Sequence, residues 1–133
     1  MLEVTERSLL QDEEQVLHFI KNIKKLGIKI ALDDFGIGYS AINYLKKFPI
    51  DLLKIDRSFI ANIDKDQVDL AITKTLIDLA HALGMKVVAE GVETYTQYSI
   101  LNDLQCDEIQ GFLFGKPISS GKITTFFFNR QLP

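Results

Sequence analysis

Short apolar runs and helical runs take turns along this chain of 133 residues, and that alternation limits the folds it can adopt. Strands are predicted at residues 28–32, 52–55 and 86–89, with weaker candidates at 1–5 and 107–109. Helices are predicted at 16–26, 39–47, 71–83, 94–104 and 118–130. Regular alternation of strands and helices is typical of a parallel sheet with crossover helices.

Two glycine junctions repeat the same transition from helix to strand. The segments 26–30 (LGIKI) and 83–87 (LGMKV) each place a glycine between a helical run and an apolar run. A complete (β/α)8 barrel needs about 250 residues. The length and the five predicted strands therefore fit either the C-terminal part of a TIM-like (β/α) barrel or a smaller open sheet. We expect one α/β domain over residues 1–133.

The composition excludes several classes of protein. Hydrophobic residues make up 47% of the chain and charged residues 25%, which is not a disordered composition. The net charge of −3 provides no basic field for a nucleic-acid polymer. Cys106 is the single cysteine, which favours a reducing compartment. No membrane segment or signal peptide is predicted, so we expect a cytoplasmic location.

Residues that could do chemistry fall where the predicted strands end. They are Glu3, Asp33, Asp34, Lys54, Asp56, Glu90, Glu93 and Gln110. The carboxyl ends of parallel strands share one rim, where the active sites of such folds lie. Carboxylate ligands favour Mg²⁺ or Mn²⁺ over zinc. The sequence therefore predicts a rim site in which two divalent cations support phosphate ester chemistry.

Each of these residue types suits a step of that chemistry. Adjacent Asp33 and Asp34 would repel each other without a cation between or beside them. Lys54 would supply a positive charge near the attacking water, and Glu90 or Glu93 could accept its proton. Simpler interpretations stay open, because Asp34 could cap a turn and Lys54 could be a strand-end lysine that reaches solvent.

A glycine-containing loop follows the second predicted strand. Its residues after Asp34 are Phe35, Gly36, Gly38, Tyr39 and Ser40. Alone, this Gly-x-Gly is a weak signal, because the third glycine of a dinucleotide-binding fingerprint is missing. His18 and His81 lie within predicted helices and are interpreted as surface or packing residues, and Cys106 as a core residue.

Taken together, five segments resemble the EAL-domain cyclic di-GMP phosphodiesterases. They are 2–6 (LEVTE), 33–40 (DDFGIGYS), 53–56 (LKID), 89–93 (AEGVE) and 110–112 (QGF), in that order. The resemblance runs from residue 2 to about residue 117. It implies a two-metal barrel enzyme that opens cyclic di-GMP to linear pGpG, with Mg²⁺ or Mn²⁺ as cofactor.

The resemblance also assigns roles to individual residues. Glu3, Asp33 and Asp34 resemble metal ligands, Lys54 resembles the lysine beside the catalytic water, and Glu90 resembles the general base. Glu93, Gln110 and Asp56 resemble supporting residues. Glu6 resembles the glutamate that anchors the loop from Asp34 to Ser40, which in this family couples dimerisation to metal binding.

The sequence departs from the family pattern in ways that bear on activity. The Glu-Ala-Leu tripeptide and the strand with the family's asparagine ligand are missing from these 133 residues, so a partial EAL domain is expected. Ile37 and Ala41 replace the usual threonine and second serine of the loop, and Gly115 and Ser119 replace a serine and a proline. Loss of two metal ligands would weaken cation binding, because affinity depends on ligand number and geometry.

Three hypotheses follow. The chain is part of a cyclic di-GMP phosphodiesterase, or an inactive remnant that binds nucleotide or associates with itself, or a small receiver-type α/β domain. The positions of Glu90 and Gln110 argue against the last. Because two sheet edges are left open, we expect a homodimer or a strand-swapped oligomer.

Overall fold

In the part of the chain that the structure describes, parallel strands form one five-stranded sheet, in the same order as they occur along the chain. A computed structural model describes residues 1–33, 35, 42–111 and 113. The strands are Leu2–Thr5 (β1), Ile30–Asp33 (β2), Leu52–Ile55 (β3), Lys86–Ala89 (β4) and Glu108–Ile109 (β5). The five predicted strands and their parallel pairing are confirmed.

Helices connect the strands. Over the described residues they are Glu6–Leu9 (α1), Glu13–Lys25 (α2), Ile42–Lys47 (α3), Arg57–Ile60 (α4), Gln67–Ala82 (α5) and Tyr95–Asp103 (α6). Four predicted helices are confirmed with shifted ends, whereas residues 39–41 and 118–130 of the predictions lie outside the described residues. In the part of the chain that is described, no helix is both long and apolar enough to cross a bilayer.

The sequence pattern does not predict α1 and α4, because each is a single turn of four residues and shows no periodicity. Both begin at a capping side chain. Thr5 Oγ1 accepts a hydrogen bond from the Ser8 N–H at 3.2 Å, and Asp56 Oδ2 accepts one from the Ser58 N–H at 2.9 Å. These caps turn the chain immediately after β1 and β3, at the ends that carry the polar residues.

One face of the sheet packs against the helices and forms the core. Leu32, Leu53 and Val87 on the central strands are fully buried. They pack in one cluster with Ile20 of α2 and Ile77 of α5, which are also fully buried. Truncation of one such side chain to alanine typically costs about 2–5 kcal/mol, so this face determines which way the strands present their side chains.

The other face carries the polar residues. The register pairs Glu3 with Ala31 and Ala31 with Leu52, so equivalent positions on neighbouring strands share this face. Successive side chains along a strand point to opposite faces. Extending the alternation to the strand ends places five polar residues on the same face: Glu3, Asp33, Lys54, Glu90 and Gln110.

The amino end of the sheet is fastened by two aspartates with matching contacts. Asp51 precedes β3, and its carboxylate accepts hydrogen bonds from the Ile30 N–H at 2.8 Å and from Lys24 Nζ at 2.6 Å. Asp51 lies at the end of the crossover from β2 to β3. Its two contacts reach α2 and β2, which come before that crossover in the chain. The carboxylate therefore ties α2 and β2 to the start of β3.

Asp107 repeats this arrangement two strands later, immediately before β5. Its Oδ2 accepts a hydrogen bond from the Val87 N–H at 2.8 Å and lies 2.7 Å from His81 Nε2. The repeat extends the two glycine junctions seen in the sequence, since Gly27 and Gly84 have similar φ angles of +80° and +77°. His81 is thus an exposed helix residue whose ring has a defined partner.

Both aspartates titrate below their usual range. Burial acts to raise the pKa of Asp51, but the hydrogen bonds from Lys24 and the Ile30 N–H outweigh it and lower the pKa. Burial also acts to raise the pKa of Asp107, but the contacts with His81 and Val87 outweigh it, so this pKa is lowered as well. Ionised aspartate is therefore the form that the folded chain prefers at both positions.

Asp51→Asn should destabilise the chain at neutral pH by about 1–3 kcal/mol, since it removes a charged hydrogen-bond acceptor. The folded pKa lies below the unfolded value of about 3.9. The stabilisation is therefore complete above that value and is lost as the pH falls through the folded pKa. Urea unfolding followed by circular dichroism at decreasing pH should show the gap between variant and wild type closing.

Asp64→Asn is the matched control, because Asp64 is exposed and takes no part in these contacts. Equal destabilisation by both variants would contradict the assignment of this role to Asp51.

Candidate functional site

The side chain of Lys54 lies between two carboxylates from distant parts of the chain. Its Nζ is 2.7 Å from Glu3 Oε1 and 2.8 Å from Glu90 Oε1. The Lys54 side chain is only 12% exposed, against 47% for Glu3 and 28% for Glu90. The ammonium is therefore enclosed by the sheet, while the carboxylates retain access to solvent.

The surrounding charges keep Lys54 protonated. Burial acts to lower the pKa of this amine, but the hydrogen bonds to Glu3 and Glu90 outweigh it and raise the pKa well above its usual value. The negative charge of Asp33 acts in the same direction. Lys54 is therefore a permanent cation rather than a proton acceptor, and it is not the solvent-reaching lysine of the simpler interpretation.

Asp33 is the last residue of β2 and pairs in register with Thr5 of β1. It is partly buried, and its charge acts on Lys54. The next predicted ligand, Asp34, lies outside the described residues, as do the loop residues Gly36, Gly38, Tyr39 and Ser40. Phe35 is described, and at 2% exposure it belongs to the core cluster.

Glu90 is positioned by backbone hydrogen bonds that extend the sheet beyond β4. The Glu90 N–H donates to the Ile55 carbonyl at 3.1 Å. On the other side, the Gln110 N–H donates to the Ala89 carbonyl at 2.9 Å, and the Val92 N–H donates to the Gln110 carbonyl at 3.0 Å. The segment from Glu90 to Val92 is thereby fixed between β3 and the end of β5.

Gln97 holds the segment that follows, and the sequence analysis missed it. Its Oε1 accepts hydrogen bonds from the Glu93 N–H at 2.8 Å and from the Thr94 N–H at 3.2 Å. Its Nε2 donates to the Ala61 carbonyl at 3.3 Å. Thr94 is the N-cap of α6 and forms a capping box with Gln97. The spacing of a threonine and a glutamine three residues apart was the signal that could have identified it.

Asp56 and Glu6 take positions at helix starts. The Asp56 carboxylate accepts hydrogen bonds from Ser58, which lower the pKa of Asp56. It is therefore the N-cap of α4, a structural role one residue before that helix. Glu6 is the first residue of α1 and is 8% exposed. The loop that Glu6 was predicted to anchor falls mostly outside the described residues.

A cleft of about 270 Å³ opens beside the Lys54 site. Its lining residues are Arg57, Glu90, Gly91, Glu93, Gln110 and Gly111. Glu90 belongs both to this cleft and to the group around Lys54. Arg57 was not among the predicted site residues, because it lies on α4, a helix that the sequence pattern does not reveal.

Close backbone packing sets the shape of the cleft. Gly91 has a φ of +77°, and a Cβ at this position would lie 2.4 Å from Arg57 Cβ. A Cβ at Gly111 would lie 2.2 Å from the Val92 carbonyl oxygen. Side chains cannot be accommodated at either position without movement, so these two glycines allow the three cleft segments to approach one another.

The donor atoms suit a hard divalent cation, because Glu3, Asp33 and Glu90 offer oxygen only. Among the described residues, however, no three acidic, histidine or cysteine side chains converge on one point. Lys54 instead occupies the place between Glu3 and Glu90. The residues thus supply the right chemistry for a metal site, with a cationic side chain at its centre.

Fold and site together define an α/β protein of the TIM-like barrel type with an acidic rim at the carboxyl ends of its strands. The chain belongs to the EAL domain family, whose pattern matches residues 1–117. The family resemblance seen in the sequence is confirmed, and the five strands are part of that barrel.

Known proteins of similar sequence and structure are consistent with this family assignment. The cyclic di-GMP phosphodiesterase NbdA of Pseudomonas aeruginosa is 42% identical over 125 residues, which cover 94% of this chain and 16% of NbdA. The MucR phosphodiesterase of the same bacterium, solved with cyclic di-GMP, matches with a TM-score of 0.85 and 42% identity. That match covers 92% of this chain and 49% of the solved MucR chain.

BlrP1 of Klebsiella pneumoniae, solved with manganese and cyclic di-GMP, matches with a TM-score of 0.79 and 36% identity. The match covers 86% of this chain and 29% of the BlrP1 chain. The chain therefore spans less than half the length of each of these three proteins.

Gly91→Ala should destabilise the chain more than Gly84→Ala does. Both glycines have a φ of +77°, but nothing lies within 4 Å of a Cβ at Gly84. The backbone cost of about 1–2 kcal/mol is therefore common to both, and only Gly91→Ala adds the overlap with Arg57. Thermal or urea unfolding measures the difference. Equal losses would mean that Arg57 moves aside without cost.

Proposed function

We propose that this chain is part of an EAL phosphodiesterase and takes part in metal-dependent hydrolysis of cyclic di-GMP to pGpG. The observation that carries the proposal is the position of Lys54, held between Glu3 and Glu90 at the rim of the sheet. The relatives named for cyclic di-GMP hydrolysis or solved with that ligand support the choice of substrate. Residues 1–133 would then form a partial EAL domain.

The carboxylates are the candidates for holding the cation. Glu3 and Asp33 would hold Mg²⁺ or Mn²⁺, together with Asp34, and the manganese in the BlrP1 structure supports this cofactor class. When bound, the cation would neutralise phosphate charge and promote ionisation of water. Glu3 already contacts Lys54, so its carboxylate would serve two cations at once or exchange one for the other.

The remaining roles belong to Lys54 and Glu90. In the reaction, water adds to phosphorus, the P–O3′ bond breaks, O3′ takes up a proton to become a hydroxyl, and the ring opens to linear pGpG. Glu90 is the proposed acceptor of the proton from water, because it is partly exposed and lies on the polar face. Lys54, which keeps its proton, would stabilise the negative charge that develops on the phosphate oxygens.

A second candidate function is that of an inactive remnant that binds nucleotide or associates with itself. The ammonium of Lys54 lies between Glu3 and Glu90, and no three side chains that could hold a metal ion come together among the described residues. Both observations favour this alternative. Either function fits the predicted cytoplasmic location, where cyclic di-GMP would be the partner.

Glu90→Gln tests the catalytic proposal. It should lower the rate of cyclic di-GMP hydrolysis by about 10²–10⁴-fold, the usual contribution of a general base. Turnover is followed with Mg²⁺ or Mn²⁺ by separating cyclic di-GMP from pGpG. Glu14→Gln, an exposed change on α2, should leave the rate unaltered. Asp33→Asn should also abolish hydrolysis, through loss of a cation ligand.

If the wild-type chain hydrolyses cyclic di-GMP and Asp33→Asn does not, the inactive-remnant alternative is excluded. Absence of hydrolysis, with recovery when the missing amino-terminal barrel strands are supplied, would instead identify the chain as an incomplete part of the enzyme.

Self-association is proposed on separate grounds. Within the described residues, β1 and β5 each have a neighbouring strand on one side only, and open strand edges readily pair with another chain. Size-exclusion chromatography with light scattering should give a dimer or larger species. A monomer across the concentration range would contradict this proposal.

A further inference from the structure

The two segments that carry Lys54 and Glu90 run side by side in the sheet and then separate. β3 pairs with β4 up to Ile55 and Ala89, and the Glu90 N–H donates to the Ile55 carbonyl at 3.1 Å. Beyond this hydrogen bond, the first segment enters α4 and the second continues toward α6. The position of Glu90 beside Lys54 therefore depends on what holds the two segments together past the end of the sheet.

The buried side chain of Gln97 joins the two segments again. Its Nε2 donates to the carbonyl of Ala61, the C-cap of α4, at 3.3 Å. Its Oε1 accepts from the Glu93 N–H at 2.8 Å and from the Thr94 N–H at 3.2 Å. Two N–H groups face one end of the amide and a carbonyl faces the other, so the neighbours fix which atom is the oxygen. At 6% exposure, this side chain links α4 to the segment that follows Glu90.

Capping of α6 does not by itself require an amide at position 97. A capping box works with glutamate as well as with glutamine, because it uses only an acceptor oxygen. The positive end of the helix dipole would also favour a carboxylate there. A carboxylate, however, has no N–H for the Ala61 carbonyl. The amide is suited to accept on one side and donate on the other, so the donor function of Gln97 can be tested separately from its capping function.

We propose that Gln97 is a positioning residue for Glu90, and that it acts by donating a hydrogen bond from its side-chain amide to the Ala61 carbonyl. This inference rests on the proposed function, in which Glu90 accepts a proton from water. The Gln97–Ala61 hydrogen bond fixes the segment after Glu90 against α4, which follows directly from the strand that carries Lys54. Its loss lets Glu90 shift relative to Lys54 while the chain stays folded.

Gln97→Glu tests the donor function, because it keeps the acceptor for Glu93 and Thr94 and removes only the N–H. With Mn²⁺ present, kcat for cyclic di-GMP should fall by about 10–10²-fold, as expected when a reacting group is displaced by about 1 Å. KM should change little. Hydrogen exchange measured by NMR should be about tenfold faster at the Glu90 and Val92 amides, the effect of about one lost hydrogen bond.

Thr94→Ala is the matched control for capping. It removes the hydroxyl that accepts the Gln97 N–H at 3.1 Å, but it leaves the side-chain amide of Gln97 in place. The melting temperature should fall, because the cap of α6 is weakened. Both kcat and the exchange of the Glu90 amide should stay as in the wild-type chain. Circular dichroism shows that each variant is folded.

Unchanged kcat or unchanged exchange in Gln97→Glu overturns the inference, since capping would then be the whole role of Gln97. Equal losses of kcat in Thr94→Ala and Gln97→Glu also overturn it, because activity would then follow the stability of α6. If hydrolysis requires added amino-terminal barrel strands, the variants are compared in that mixture. No hydrolysis under either condition refutes the proposed function, whereas exchange at Glu90 and Val92 still decides whether Gln97 holds this segment.

Discussion

Side chains on neighbouring parallel strands share a face when their residues are paired in register, and the rest of this structure depends on that constraint. One face of the sheet is packed with fully buried Leu, Ile and Val side chains. Burial of that face leaves no freedom to shift a strand by one residue, because a one-residue slip would exchange the two faces. The hydrophobic core therefore holds Glu3, Lys54 and Glu90 on the face where they meet.

The two ends of the sheet have different tasks. At the amino end, Asp51 and Asp107 accept hydrogen bonds from backbone N–H groups and contact the side chains of Lys24 and His81, respectively. Those charges are satisfied within the fold, and they serve stability. At the carboxyl end, the carboxylates around Lys54 keep partial access to solvent. Separation of stability from the reactive rim is a general property of β/α barrels.

Lys54 accounts for how several acidic groups can lie together in this fold. Enclosure of an ammonium in the sheet is unfavourable by itself, and two carboxylates at hydrogen-bonding distance compensate for it. The same contacts reduce repulsion between Glu3 and Glu90. A divalent cation that binds Glu3 would enter a site whose charge is already partly balanced. This arrangement gives a physical reason for the lysine to be as central to the site as its carboxylates.

Much of the fold and part of the site could be predicted from local patterns. Apolar runs located the strands, glycines marked the junctions at Gly27 and Gly84, and polar residues after each strand located the rim, because these signals depend on neighbours in the chain. The short helix α4 was not predictable, since four residues carry no period, and Arg57 was missed with it. The capping spacing of Thr94 and Gln97 is a local signal, whereas the contact between Gln97 and Ala61 joins segments far apart in sequence and was not predictable. Thus the sequence by itself determined the strands and the types of residue at their ends. Only the tertiary structure decided which of them touch, because the distance between Lys54 and its two carboxylates is set by strand register and helix packing.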